Sequence, residues 1–407
     1  MTPGDERAAT TSLETLDSGQ PGEFDTTTVS LMSGAHFVHD SYPAFVGVLL
    51  PLLIPKLGLS LVEAGILASG IRWTTALQPI FGFFADRTDA RFWVIVAPAT
   101  TAIFISLIGV APSFLAVFVL LLLAGVSHAA FHPAAAAVAT RASGARWGKG
   151  TSYFMTGGEL GRALGPLVIA AVLTAVGLEW SWIALGPGVI FSILLYDRVH
   201  RSTRIVFRHP PGDMRLAFRQ LRRPVISLSS AVVLRSVANV GIATFLPTLV
   251  ISQGADLVYA GIAIAAYELG GAAGAFLGGT ASDHFGRRAT LAVSLVGGLP
   301  VLALAVVLGP GASQLAILAV AGFALLSAMP VQLVLMHELF PHNRSAATGI
   351  VYFMTTFGAI VSMVAIGALG DAVGLDIGLL VAIAVAGLAL PAIMLLPRIT
   401  APHLRTA

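Results

Sequence analysis

From residue 31 onward the chain alternates long apolar runs with short polar breaks. Each run approaches the ~20 residues that an α-helix needs to cross a bilayer. The runs fall at about 31–55, 62–84, 92–110, 113–139, 151–176 and 180–197, and again at about 224–251, 258–281, 289–308, 313–339, 347–369 and 375–397. Pro, Gly and charge mark the breaks, as in Lys56-Leu57-Gly58, Pro112-Ser113 and Gly309-Pro310-Gly311. The pattern predicts an all-α membrane protein with twelve transmembrane helices in two six-helix bundles. Residues 1–28, 29–197, 198–223, 224–397 and 398–407 then read as a disordered N-terminal tail, a first bundle, a linker, a second bundle and a C-terminal tail.

Twelve crossings put both termini on one side, and Lys and Arg decide which side that is. Of the 23 Lys and Arg residues, nineteen lie in the tails and even-numbered connections, and the odd-numbered connections hold only Lys56. Arg72, Arg162 and Arg235 lie inside helices. Both termini are therefore expected in the cytoplasm. The tail is acidic and lacks the basic start and short apolar run of a signal peptide. The linker carries eight Arg and reads as a positive-inside connection lying on anionic lipid headgroups.

Composition narrows the choice further. Charged residues are 11% of the 407 and hydrophobic residues 56%, whereas a soluble domain carries roughly 25% charged. The absence of Cys removes disulfide scaffolds, thiolate zinc sites and Cys nucleophiles. A net charge of +3, with no basic stretch interleaved with aromatics, removes nucleic acid as a partner. The expected partners are a small-molecule substrate, protons and membrane lipids. A monomer is expected, with no cofactor beyond the proton motive force and no resident metal.

The halves repeat. Gly82-Phe83-Phe84-Ala85-Asp86-Arg87-Thr88-Asp89-Ala90-Arg91 is echoed 197 residues later by Gly279-Thr280-Ala281-Ser282-Asp283-His284-Phe285-Gly286-Arg287-Arg288. Tyr153-Phe154-Met155-Thr156 recurs at an offset of 199 as Tyr352-Phe353-Met354-Thr355. A six-helix unit duplicated in parallel places a substrate site at the midplane between the halves.

The Gly-x-x-x-Asp-Arg-x-Gly-Arg-Arg pattern after helices two and eight resembles the signature loop of the major facilitator superfamily. The second copy has His284 at the first Arg, and the first copy has Asp89 at the second Gly and Ala90 at the next basic position. His36-Phe37-Val38-His39-Asp40, Gln78-Pro79, Ala130-Phe131-His132-Pro133 and Glu338-Leu339-Phe340-Pro341 resemble the fosmidomycin-resistance branch. That resemblance spans about residues 31–397. It implies the major facilitator fold, the bacterial inner membrane and proton-coupled export of drugs or other small molecules. It also implies gating roles for Asp86, Arg87, Arg91, Asp283, Arg287 and Arg288, in which the Asp braces a neighbouring helix N-terminus. Gly157-Gly158-Glu159-Leu160-Gly161-Arg162-Ala163-Leu164-Gly165-Pro166 resembles the antiporter motif of helix five, without its trailing Gly pair. Small residues at this spacing equally serve close helix packing. Leu121 stands where many antiporters carry an Arg, so coupling is not expected to run through that position.

A charge at the centre of a bilayer helix costs roughly 2.5–3.5 kcal/mol on insertion scales, so the central ionisable residues are candidates for function. His36 and Asp40 share one helix face. Asp40 is the leading proton-accepting carboxylate, with His36 or His39 as modulator. The alternatives are a structural ion pair of Asp40 with Arg72, or a divalent-cation site of Asp40 with His36 and His132. Glu159 and Arg162 read as a pair in one helix. Arg235 and Glu268 read either as a buried pair or as an anion contact and a second proton site. Arg72, Arg162 and Arg235 would give the cavity a positive field suited to phosphate, phosphonate or carboxylate. His132, Tyr153, Tyr267 and Tyr352 complete the candidate lining. The expected function is a proton-coupled antiporter exporting a small drug-like or anionic molecule by alternating access, not an enzyme. An organic-anion importer or a lipid translocator on the same scaffold is the alternative.

Overall fold

The computed structural model describes residues 23–76, 90–200, 222–340 and 344–396. Every regular element among them is a helix. The first half comprises α1 (Thr26–Leu57), α2 (Leu61–Thr75), α3 (Ala90–Ser106), α4 (Phe114–Ala142), α5 (Trp147–Val176) and α6 (Gly186–Val199). The second comprises α7 (Arg222–Ser252), α8 (Leu257–Phe285), α9 (Arg287–Leu308), α10 (Ala312–Leu326), α11 (Ala328–Leu339), α12 (Arg344–Val373), α13 (Leu375–Gly387) and α14 (Ala389–Met394).

Eleven stretches of described residues are long and apolar enough to cross a membrane. Four of them join two pieces: α3 with the 3₁₀ turn at Leu107–Val110, the 3₁₀ turn at Leu178–Leu185 with α6, α10 with α11, and α13 with α14. The remaining crossing begins with α2, which runs towards residues 77–89, outside the described set. The twelve-helix architecture is the one the hydrophobic pattern predicts. Most of these helices are apolar on all faces, as expected where one side meets protein and the other lipid.

Boundaries follow capping chemistry. Asp25 starts α1 by accepting from the Thr28 amide at 3.0 Å, so the helix begins before the expected end of the polar tail. Gly58, at φ 63°, ends α1 in the left-handed region, where Gly carries no Cβ penalty. Ser60 and Glu63 form a reciprocal capping box on α2. The helices flanking the basic linker extend into its expected bounds. α6 runs to Val199 and α7 begins at Arg222, so 201–221 lie outside the described residues.

Close approach of α5 to α1 defines the first half. A Cβ on Gly157, Gly161 or Gly165 would stand 2.2, 2.2 and 2.7 Å from the carbonyl oxygens of Ser33, Phe37 and Ser41. The glycine series thus matches successive turns of α1, which is the packing reading of that motif.

The halves meet near the Gly58 turn. A Cβ on Gly65 would lie 2.2 Å from the Met363 carbonyl oxygen, one on Gly367 2.3 Å from that of Leu61, and one on Gly47 2.6 Å from that of Ala243. Asp371 accepts from the amides of Leu61 and Val62 at 2.8 and 2.9 Å, capping α2 from the opposite half. Towards the other end of the molecule Tyr153, Met155, Tyr352 and Phe353 are exposed.

Candidate functional site

Asp40 lies at the midpoint of α1 and is buried. His36, one turn earlier, places Nε2 3.3 Å from Asp40 Oδ2. His132 of α4 places Nε2 3.3 Å from Asp40 Oδ1. Arg162 of α5 reaches Asp40 Oδ2 with Nη1 at 3.5 Å and pairs through Nη2 with Glu159. Three helices therefore converge on one carboxylate. The Asp40 side chain is 4% exposed, that of Arg162 36% and that of Glu159 33%. The group has a dry floor and a wet rim.

The tautomers matter here. His36 Nδ1 lies 2.8 Å from the Phe154 carbonyl oxygen, and His132 Nδ1 lies 3.0 Å from that of His128. A carbonyl only accepts, so both Nδ1 atoms carry the hydrogen. In the neutral rings both Nε2 lone pairs then face the Asp40 carboxylate. Neither His36 Nε2 nor Asp40 Oδ1 has a hydrogen-bond partner in the protein. Acceptor facing acceptor in a dry site is unfavourable until a cation, the simplest being a proton, lies between them.

The second half contributes to the rim. Glu268 of α8 is within electrostatic reach of Arg162, Glu159 and Arg72. Tyr352 of α12 is within reach of Arg162, Glu159 and Asp40. Charged side chains from α1, α2, α5 and α8 are thus within electrostatic reach of one another.

Several expectations change. Asp40 makes no ion pair with Arg72; its guanidinium partner is Arg162. Arg235 does not pair with Glu268. It is buried and donates to the Leu325 carbonyl and to Ser294 Oγ at 3.3 Å, inside the second bundle and turned from the rim. Tyr267 is fully buried and donates to Asn239 Oδ1 at 3.0 Å, so it is core and not lining. Tyr153 lies beside Lys149, whose Nζ is 5.5 Å from its ring centroid. His39 touches no carboxylate; its ring stacks on Phe131 at 4.1 Å and on His128 at 5.2 Å. His128 joins the cluster without having been singled out, although its position four residues before His132 was a usable signal.

Among the gating candidates, Asp86 and Arg87 lie outside the described residues, as do Gln78 and Pro79. Arg91 donates to the His200 carbonyl at 2.9 Å. Arg287 pairs with Asp283, Glu338 (3.0 Å) and Ser282 Oγ (2.7 Å). Arg288 meets Met394 Sδ at 3.2 Å. The second signature loop is therefore braced within its own half, with Glu338 at the end of α11 as a partner.

The chain is 26% identical over 356 residues to the uncharacterized MFS-type transporter YfnC of Bacillus subtilis (strain 168), covering 84% of this chain and 85% of that one. It is 25% identical over 339 residues to the fosmidomycin resistance protein of Escherichia coli (strain K12), covering 80% and 82%. Its fold is similar to that of a bacterial homolog of the human lysosomal transporter Spinster, in an inward-facing and unoccupied conformation. The TM-score is 0.75 at 16% identity, over 91% of this chain and 98% of that one. The sequence profile of the Major Facilitator Superfamily matches residues 32–266 and again 228–407. Profile, duplicated halves and twelve-helix fold together make this chain a member of the Major Facilitator Superfamily of multi-pass membrane transporters.

Proposed function

We propose that the protein exports a small anionic organic molecule, of the phosphonate or carboxylate class, in exchange for protons. The membrane is the bacterial inner membrane, with both termini in the cytoplasm. The observation that carries the reading is the Asp40 group: a buried carboxylate faced by two imidazole lone pairs, beside a partly exposed Arg162 at the junction of the halves. A proton resolves the repulsion among these acceptors. An anion is attracted to Arg162 and Arg72 once Asp40 and Glu268 cease to compete for them. Proton and anion therefore alternate on one set of charges, which is what exchange requires.

With the Gly58 side placed outside by the positive-inside count, the contacts of Gly47, Gly65, Gly367 and Asp371 close the external end. The exposed Tyr153 and Tyr352 then lie at the cytoplasmic mouth. Rocking of the halves about the cluster exposes it to one face at a time. One proton crossing 100 mV supplies roughly 2.3 kcal/mol, about a fiftyfold gradient of a neutral solute.

The test uses proteoliposomes and fosmidomycin, the compound in the name of one relative. A proton gradient should drive uphill movement of fosmidomycin opposite to proton flow, a protonophore should collapse it, and Asp40→Asn should abolish it. Equal flux with and without the protonophore removes proton coupling. Undiminished pumping by Asp40→Asn removes Asp40 from the mechanism. Uphill movement with the protons identifies an importer instead.

A further inference from the structure

The same helices hold more unpartnered nitrogen than proton exchange uses. His39 is fully buried, and neither of its ring nitrogens has a hydrogen-bond partner in the protein. His128 Nδ1 is buried and likewise without one. One ligand atom from each of His39, Asp40, His128 and His132 lies within 4.8 Å of the others. One proton between Asp40 and His132, or between Asp40 and His36, leaves His39 and the free nitrogen of His128 unsatisfied. A single cation coordinated by three imidazoles and one carboxylate engages a nitrogen of His39, one of His128 and one of His132 together with Asp40.

We infer that His39, Asp40, His128 and His132 form a binding site for one divalent first-row transition cation of the zinc, cobalt or nickel kind. The donor set selects the class. Three neutral nitrogens and one oxygen suit these borderline cations, whereas magnesium and calcium seek oxygen.

The geometry is close to what such an ion needs. Metal–nitrogen bonds of about 2.0–2.1 Å set ligand atoms roughly 3.4 Å apart in a tetrahedron, so rotamer adjustments close the gap. The orientation is set in advance at one ligand, because His132 Nδ1 is held by the His128 carbonyl and Nε2 is left free for the metal. His36, anchored on Phe154, stands against the other carboxylate oxygen without belonging to the four. Entry runs past the partly exposed faces of His128 and His132, the latter 24% exposed.

This inference shares Asp40 with the exporter reading but does not rest on it, because binding requires no transport. The test is a titration of the purified full-length protein in detergent with Co²⁺, followed by visible absorption. One Co²⁺ per chain is expected, with the intense bands of a four-coordinate nitrogen–oxygen site. Zn²⁺ displaces it and a hundredfold excess of Mg²⁺ does not. His128→Ala and His39→Gln should each weaken binding at least tenfold, while His200→Ala, far from the cluster, leaves it unchanged. A second measurement avoids the variants: Zn²⁺ should protect His39, His128 and His132 of the wild-type protein from diethylpyrocarbonate. Absence of the Co²⁺ bands, bands untouched by His128→Ala in a folded protein, or equal modification with and without Zn²⁺ overturns the site. Any of these alongside intact fosmidomycin pumping would overturn the metal site and leave the exporter reading standing.

Discussion

Asp40 and Arg235 are counterparts in position and opposites in circumstance. Each is a buried charge in the leading helix of its half, and each is 3% exposed. Arg235 is met by the Leu325 carbonyl and Ser294 Oγ. Ser294 donates in turn to the Ala324 carbonyl at 2.7 Å. Asp40 is met by two imidazoles that in their neutral form offer lone pairs, and by an Arg shared with Glu159. The two cases teach that burial of a charge does not by itself mark function. What separates them is whether the surrounding groups complete its hydrogen bonds or wait for something mobile to do so.

Paired substitutions test that contrast most sharply. Asp40→Asn should lower fosmidomycin pumping by a hundredfold or more. It should leave detergent stability unchanged or improved, since a charge that the protein does not fully satisfy has gone. Arg235→Met should do the reverse, keeping flux per folded molecule within about twofold and costing about 1–3 kcal/mol for the orphaned acceptors. Flux assays normalised to folded protein, with denaturant unfolding in detergent, read both. A folded but inactive Arg235→Met would break the contrast. A smaller effect follows at Tyr267→Phe, which removes the Asn239 bond alone. It should cost about 1 kcal/mol and leave transport intact.

The fold was legible because bilayer physics writes it in run length, and the duplication was legible because two loops and one tetrapeptide repeat at nearly one spacing. Part of the floor and part of the rim were also legible: Asp40 with His36 follows from helical spacing, and Glu159 with Arg162 does too. What a linear string could not give is which face of each helix turns inward. The expected guanidinium partner of Asp40 was Arg72, with Arg162 assigned to Glu159, whereas Arg162 reaches both carboxylates. The difference is made by α5 closing on α1 through Gly157, Gly161 and Gly165. Arg235 and Tyr267 were misread for the same reason. They lie at the right depth in their helices but face α9 and α10 or the core, where backbone and side-chain acceptors take the place of a ligand. His39 and His128 form a stack that joins two helices distant in sequence, which no single-helix spacing predicts.

The weakest effect asks whether the contrast is really between satisfied and unsatisfied groups, or only between the halves. Asp25 belongs to the first half, like Asp40, yet both of its carboxylate oxygens are met by donors. It takes hydrogen bonds from the Thr28 amide at 3.0 Å and the Thr28 hydroxyl at 2.6 Å, and pairs with Arg198 at 2.8 Å. Slight burial pushes its carboxyl upward, but the Thr28 bonds and Arg198 outweigh that and hold it below the usual range. A depressed carboxyl stabilises the fold above its unfolded value, near 3.9, and that contribution is lost as pH falls through the folded value. Asp25→Ala should therefore cost about 1 kcal/mol at neutral pH, as other helix N-caps do, and less as pH falls through the depressed folded value. Pumping should be unaffected. Unfolding of the two proteins in detergent at pH 7 and pH 3 measures the difference. A transport defect in a folded Asp25→Ala would show that completed hydrogen bonds do not make a charge merely structural, and would return the first half as a whole, and not Asp40 alone, to the mechanism.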